Sequence, residues 1–154
     1  MKVEKKAVRS GILKLEKNVQ ITLDEDMNVP DTRPDVEKII ESRGEVHIDE
    51  IEVLTDRMRL RGNFLVQILY LSTDKEQQIS CMEHEFSIEE FMNVEGAESS
   101  DIAKVTADLE DLTISIINSR KCGVRSVIYF HIAISEMKFV ECTTGIEKKE
   151  KVQC

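Results

Sequence analysis

Met58-Arg59-Leu60-Arg61-Gly62-Asn63-Phe64-Leu65-Val66-Gln67-Ile68-Leu69-Tyr70-Leu71 decides the fold class of this 154-residue chain. Met58, Leu60, Phe64, Val66, Ile68 and Tyr70 share one parity, and Arg59, Arg61, Asn63 and Gln67 hold the other. A two-residue period of this kind sends one set to each face of a β-strand. Past Phe64 the second face also turns apolar, at Leu65, Leu69 and Leu71. That end of the strand is therefore expected to be covered on both sides, by another layer of the domain or by a partner.

The same period continues on either side. Val46 and Ile48 share a face, and Ile51 and Val53 take the opposite parity after Asp49-Glu50, which predicts a bulge or sharp bend there. Asp56-Arg57 supplies the turn that closes these two strands into a hairpin. Downstream, Ser72-Thr73-Asp74-Lys75 is a polar turn, and Glu76 to Phe86 reads as a weaker strand with charge on both faces, as at a sheet edge. Ala103, Val105, Ala107 and Leu109 change parity to Leu112, Ile114 and Ile116, predicting a second bulge at Glu110-Asp111. After the turn Asn118-Ser119-Arg120-Lys121, the residues Cys122, Val124, Ile128, Phe130, Ile132 and Ile134 keep one register in a long last strand. Upstream, Val19, Ile21 and Leu23 alternate with polar residues, behind an N-terminal arm over residues 1–18.

Two short helices are expected. Asn28-Val29-Pro30-Asp31-Thr32-Arg33-Pro34-Asp35 carries two prolines that forbid a central ladder position. Thr32 and Asp35 resemble a capping arrangement, and Val36, Ile39 and Ile40 follow at helical spacing before Gly44, which predicts a helix over Pro34 to Ser42. Ser87-Ile88-Glu89-Glu90 has the pattern of a capping box, with Ile88, Phe91 and Met92 as the buried side of a helix over Ser87 to Met92. The fold class is thus mainly β with minor α: an antiparallel β-sandwich or bent sheet with a long C-terminal strand pair and two short helices. Residues 19–140 form the β domain, and 141–154 read as a charged linker expected to lead to further domains.

Composition narrows the function. Against 21 Lys+Arg stand 30 Asp+Glu, a formal net charge of -9, so the overall field repels phosphate polymers and anionic lipid surfaces. Aromatic residues make up 5% of the chain and Trp is absent, leaving few platforms for stacking bases or sugars. No apolar stretch is long enough to cross a bilayer as a helix.

The usual signatures of chemistry are missing. There is no glycine-rich phosphate loop, no H-E-x-x-H and no G-x-S-x-G. Cys81, Cys122, Cys142 and Cys154 form no C-x-x-C pair. Cys81 and His84 stand three apart, which on a strand sends them to opposite faces. Cys122 falls in the apolar register, and Cys142 and Cys154 lie in the polar tail as free thiols. His47, His84 and His131 are scattered among polar neighbours and read as surface residues. Asp24-Glu25-Asp26 with Asn28 and Asp31 lacks the glycine and bidentate glutamate of a calcium loop and reads as a solvated turn. Arg57, Arg59 and Arg61 have the spacing of a cross-strand ion-pair ladder. No catalytic, cofactor-binding or metal-ligating residue is assigned.

The order of these segments resembles the SPOCS domain. The resemblance runs from about Val19 to Lys138 and is carried by Val29-Pro30-Asp31 with Pro34-Asp35, the hairpin around Asp56-Arg57 and Gly62, Leu69-Tyr70-Leu71, Phe86 to Phe91, and Ile117-Asn118-Ser119-Arg120-Lys121. SPOCS is a spore-coat-associated family of spore-forming Firmicutes, found as tandem copies and often with a C-terminal LysM module in SipL-like proteins. The resemblance implies a non-enzymatic module of spore-envelope assembly in the mother-cell cytoplasm at the forespore surface, working with the SpoIVA-like coat ATPase or sibling SPOCS domains. No catalytic residues come with the family. Val29, Pro30, Asp31, Pro34 and Asp35 are then expected to be structural, fixing the start of the first helix. Leu65, Leu69 and Leu71 are the candidate interaction surface, for a partner protein or a second copy of the chain. A small-ligand or glycan-binding β domain is the alternative reading.

Overall fold

Alternation dominates the chain even where helical spacing suggested otherwise. The computed structural model describes the backbone of residues 4–76 and 78–144 and the side chains of residues 11–76 and 78–136. Six strands make up its regular structure: β1 (Glu4–Asn28), β2 (Val36–Leu54), β3 (Arg57–Ser72), β4 (Ile79–Asn93), β5 (Ile102–Asn118) and β6 (Lys121–Thr144). They form two three-stranded antiparallel sheets, in the orders β1-β6-β5 and β2-β3-β4.

The central strand of each sheet carries the core. On β3, Met58, Leu60, Phe64, Val66, Ile68 and Tyr70 are all buried, and on β6 so are Cys122, Val124, Ile128, Phe130, Ile132 and Ile134. Each large apolar side chain so removed from water contributes about 1.5–3 kcal/mol before the entropy of ordering it is subtracted. The flanking strands add half-buried partners such as Val19, Ile21, Val46, Ile48, Val105 and Leu109. Along one side, β2 and β5 pack against each other across the two sheets.

Both expected helices are corrected to strand, and no helix occurs among the described residues. Over Pro34 to Ser42 the reason is a pair of irregularities in the β2–β3 register, between Val36 and Lys38 and between Ile39 and Glu41. Each bulge shifts parity by one residue, so Val36 and Ile39 reach the same face at a spacing of three. Helical spacing and a bulged strand are indistinguishable over so few residues. Over Ser87 to Met92 the alternation never breaks: Phe86, Ile88 and Met92 face the core, while Phe91 points outward and is 57% exposed. Taking Phe91 as buried created the apparent helical face.

Register shifts lie at Ile48/Glu50 and Leu109/Asp111, where the parity changes of the sequence fall. At the second, buried Ser126 donates its hydroxyl to the Asp111 carbonyl at 3.0 Å, satisfying backbone that the bulge displaces. At the first, Gly62 is required: a Cβ there would sit 2.2 Å from the His47 carbonyl oxygen, a backbone atom. The β2–β3 turn places Asp56 at φ 60°, a conformation Asp tolerates. Its carboxylate accepts from the Gly96 amide at 2.9 Å, tying the β4–β5 loop to the hairpin.

Residues 4–18 of the stretch read as an N-terminal arm lie within β1, which pairs with β6 from Glu4 opposite Thr144 to Asn28 opposite Lys121. Cys142 is opposite Lys6 in that pair. Residues 145–154, with Cys154 and most of the expected linker, lie outside the described residues.

Candidate functional site

Two prolines and no ladder partner leave residues 29–35 free to cross from one sheet to the other, and Arg120 holds them there. Its guanidinium donates to the carbonyls of Val29 at 3.2 Å, Pro30 at 2.9 Å and Arg33 at 2.7 Å. It also pairs with the Asp35 carboxylate at 3.1 Å. Only a planar fork of several N–H donors can reach four acceptors around one turn. The backbone adds two bonds, from the Val29 amide to the Arg120 carbonyl and from the Val36 amide to the Ser119 carbonyl, both 2.9 Å. On the far side the buried Tyr70 hydroxyl donates to the Pro34 carbonyl at 2.8 Å.

The five residues of the V-P-D-x-x-P-D block therefore set a crossover between sheets. Val29 is buried beneath the loop, Pro30 and Arg33 close its turn by a 2.9 Å amide bond, and Asp31 is exposed. Asp35 is the ion-pair partner of Arg120, which corrects its expected role at a helix start. The two aspartates do not form an acid pair, because Arg120 engages one and the other is in solvent.

The outer face of the β2-β3-β4 sheet has two contrasting ends. At one end Arg59 bonds Glu89 at 3.0 Å and Glu50 at 3.2 Å, and Arg61 reaches Glu50 at 3.2 Å, giving a cross-strand ladder for two of the three arginines expected to form it. The hydrogen bond that it donates to Glu89 is the chief reason the Arg59 guanidinium is held still more firmly protonated. Arg57 lies over the exposed Phe91 ring at 5.3 Å from its centre. At the other end the register sets Leu69 between Glu41 and Cys81, and Leu71 between Lys38 and Ile79. Leu65, Leu69 and Leu71 all lie on this outer face, half-buried by neighbours in the sheet, and Ile79 is 62% exposed.

Beside Leu69 the crossover overhangs the sheet. Pro30, Thr32 and Arg33 form one wall of an open groove of about 520 Å³, whose floor includes Leu69 and Cys81 and whose rim carries Arg43 and Glu83. A second shallow depression continues from Arg33 and Leu69 to Ile79. The arrangement offers apolar surface beside charged side chains.

Elsewhere the titratable groups are dispersed. His47 pairs with Glu45 at 2.7 Å, His84 meets the Phe86 ring edge-on at 4.5 Å, and His131 lies 3.9 Å from Glu16. Among the described residues no cluster of three His, Cys, Asp or Glu is placed to hold a metal. Burial pushes the Cys122 thiol above its ordinary range, whereas Cys81 is exposed. Asp26 contacts Lys121 at 3.5 Å, which accounts for part of the acidic run. The most enclosed ion pair went unforeseen: Lys14 donates to buried Asp101 at 2.8 Å. Neither it nor the Arg120 clamp leaves a local signal, because their partners lie far apart in the chain.

No curated protein and no solved structure is significantly similar to the chain. The family described as "SipL, SPOCS domain" matches residues 35–117, from the Arg120-bound aspartate through the β2-β3-β4 sheet to the end of β5. That match covers more than half of the chain, so the protein belongs to the SPOCS-domain family of SipL-like proteins, a family tied to sporulation.

Proposed function

We propose that the domain is a non-catalytic adaptor of spore-envelope assembly, acting in the mother-cell cytoplasm at the forespore surface through protein–protein contacts. The supporting observation is the apolar end of the outer β2-β3-β4 face, where Leu69, Leu71, Ile79 and Cys81 lie together on neighbouring strands. Surfaces of this kind, rimmed by charge, suit association. The groove beside them is open, and its lining of Leu69 and Met82 with Arg33, Glu41, Arg43 and Glu83 includes no aromatic ring on which a sugar would stack, which favours docking of a protein over a glycan. A SpoIVA-like coat ATPase or a sibling SPOCS domain is the expected partner.

The test is capture from sporulating cells with the wild-type domain and with Leu69→Glu as baits. Leu69 is on the outer face, so the variant is expected to melt near the wild type and to lose a coat protein that the wild type retains. Identical sets of captured proteins would refute this surface as the docking site.

A further inference from the structure

The sheets have four edge strands, β1, β5, β2 and β4, and they are not equally protected. β2 carries register shifts at Val36/Lys38, Ile39/Glu41 and Ile48/Glu50, and β5 carries two more at Leu109/Asp111 and Ile116/Asn118. β1 has one at Leu13/Leu15. Bulges disturb the row of N–H and C=O groups that an incoming strand would use. β4 has none: it pairs with β3 in one unbroken register from Asn93 opposite Arg57 to Ile79 opposite Leu71. It contains no proline, and among the described residues its backbone bonds outside its own sheet only at its last residue, where the Asn93 carbonyl accepts from the Lys17 ammonium.

Charge selects what this edge accepts. β4 carries Glu83, Glu85, Glu89 and Glu90 and no Lys or Arg, with Glu83, Glu85 and Glu89 on the outer parity. Two copies of β4 laid antiparallel would bring these carboxylates together, which is destabilising. On the inner parity Met82, Phe86, Ile88 and Met92 are buried, with His84 and Glu90 between them less enclosed. A cleft of about 340 Å³ runs beside the edge, between Ser87–Glu90 of β4 and Ile21–Glu25 of β1, and its acidic lining includes Asp24, Glu25, Glu89 and Glu90. The strand on the other side of β4 has the complementary pattern. There Arg57, Arg59 and Arg61 alternate with buried Met58 and Leu60, and Arg59 bonds Glu89.

We propose that the free edge of β4 accepts, by strand addition, an extended segment of a protein partner in which basic residues alternate with apolar ones. The basic side chains meet Glu83, Glu85 and Glu89 on the outer face, and the apolar ones extend the core beside Phe86 and Ile88. This rests on the reading of the domain as an adaptor, and it uses the side of the sheet in addition to the Leu69 face.

The probe is a synthetic peptide alternating Arg and Val over nine residues, titrated against the full chain by fluorescence anisotropy and by backbone amide shifts. Two further peptides carry N-methyl groups on every Arg or on every Val. Alternate residues of an antiparallel strand direct their N–H groups to the same neighbour. One methylated peptide is therefore expected to bind about tenfold or more weakly, through the loss of several hydrogen bonds, while the other binds nearly as the parent does. Amides of residues 81–91 are expected to shift. Glu85→Lys should weaken the Arg peptide and admit one alternating Glu and Val.

Equal binding of both methylated peptides would mean attraction by charge alone and would overturn the proposal. So would sedimentation showing a dimer that Glu85→Lys dissolves, since the occupant would then be a second copy. Shifts confined to the Leu69 face would overturn the strand-addition site while leaving the adaptor reading standing. The adaptor reading fails separately, by the Leu69→Glu capture.

Discussion

Replacing Arg120 with Ala should loosen the join between the two sheets. The substitution removes two partly buried bonds, to the Val29 carbonyl at 3.2 Å and to Asp35 at 3.1 Å, and two exposed ones, to Pro30 at 2.9 Å and Arg33 at 2.7 Å. A typical bond of this kind contributes about 0.5–1.5 kcal/mol net. The exposed pair is discounted because water takes the place of the lost donor, so the expected loss is about 1–3 kcal/mol. Asp35→Ala removes only the ion pair, whose side chains are 38% and 47% exposed, and should cost about 0.5–1 kcal/mol. Lys at position 120 restores one charge without the planar fork and should lose about 1–2 kcal/mol. Urea unfolding of the three variants, with a double-mutant cycle joining Arg120 and Asp35, measures all of these. If Arg120→Ala costs no more than Asp35→Ala, the three carbonyl bonds contribute nothing and the clamp is an ordinary surface ion pair.

Asp101 predicts a pH dependence, since its hydrogen bond from Lys14 is the main cause that holds its carboxyl below the usual range. The stabilisation is complete above the pH near 3.9 at which an unfolded aspartate titrates, and is lost as pH falls through the lower folded value. Asp101→Asn should flatten that acid limb in melting curves recorded across pH. Gly62→Ala should cost about 1–3 kcal/mol or more, because the new methyl meets the His47 backbone at 2.2 Å and no rotamer relieves it; calorimetry reads the loss. Site-resolved mass spectrometry after thiol alkylation should find Cys81 labelled in the native protein and Cys122 only after unfolding.

The core was legible because it obeys one period. All twelve apolar positions read on β3 and β6 are buried, and the parity changes near Asp49-Glu50 and Glu110-Asp111 coincide with register shifts. Helices were inferred where local signals competed with tertiary pairing. Two bulges three residues apart imitate a helical stripe at Val36 and Ile39, and at Ser87 to Met92 an outward Phe91 completes one by coincidence. Arg120 stood in a turn already noted for its resemblance, but its partners at positions 29–35 lie across β2 to β5, beyond any local pattern. The apolar second face of β3 was visible as Leu65, Leu69 and Leu71, whereas the unprotected edge of β4 needs the strand order to be seen.

The pairing of β1 with β6 has a kinetic consequence. The contacts β2–β3, β3–β4 and β5–β6 join strands consecutive in the chain, so each closes over a short loop. β1 pairs only with β6, and even its nearest pair, Asn28 opposite Lys121, encloses four other strands. Long loops close late, because their entropy is lost before any contact compensates for it. During folding β6 therefore presents one long unpaired backbone edge until β1 arrives. That interval, set by the order of events in time, is when the chain is most open to pairing with the wrong strand.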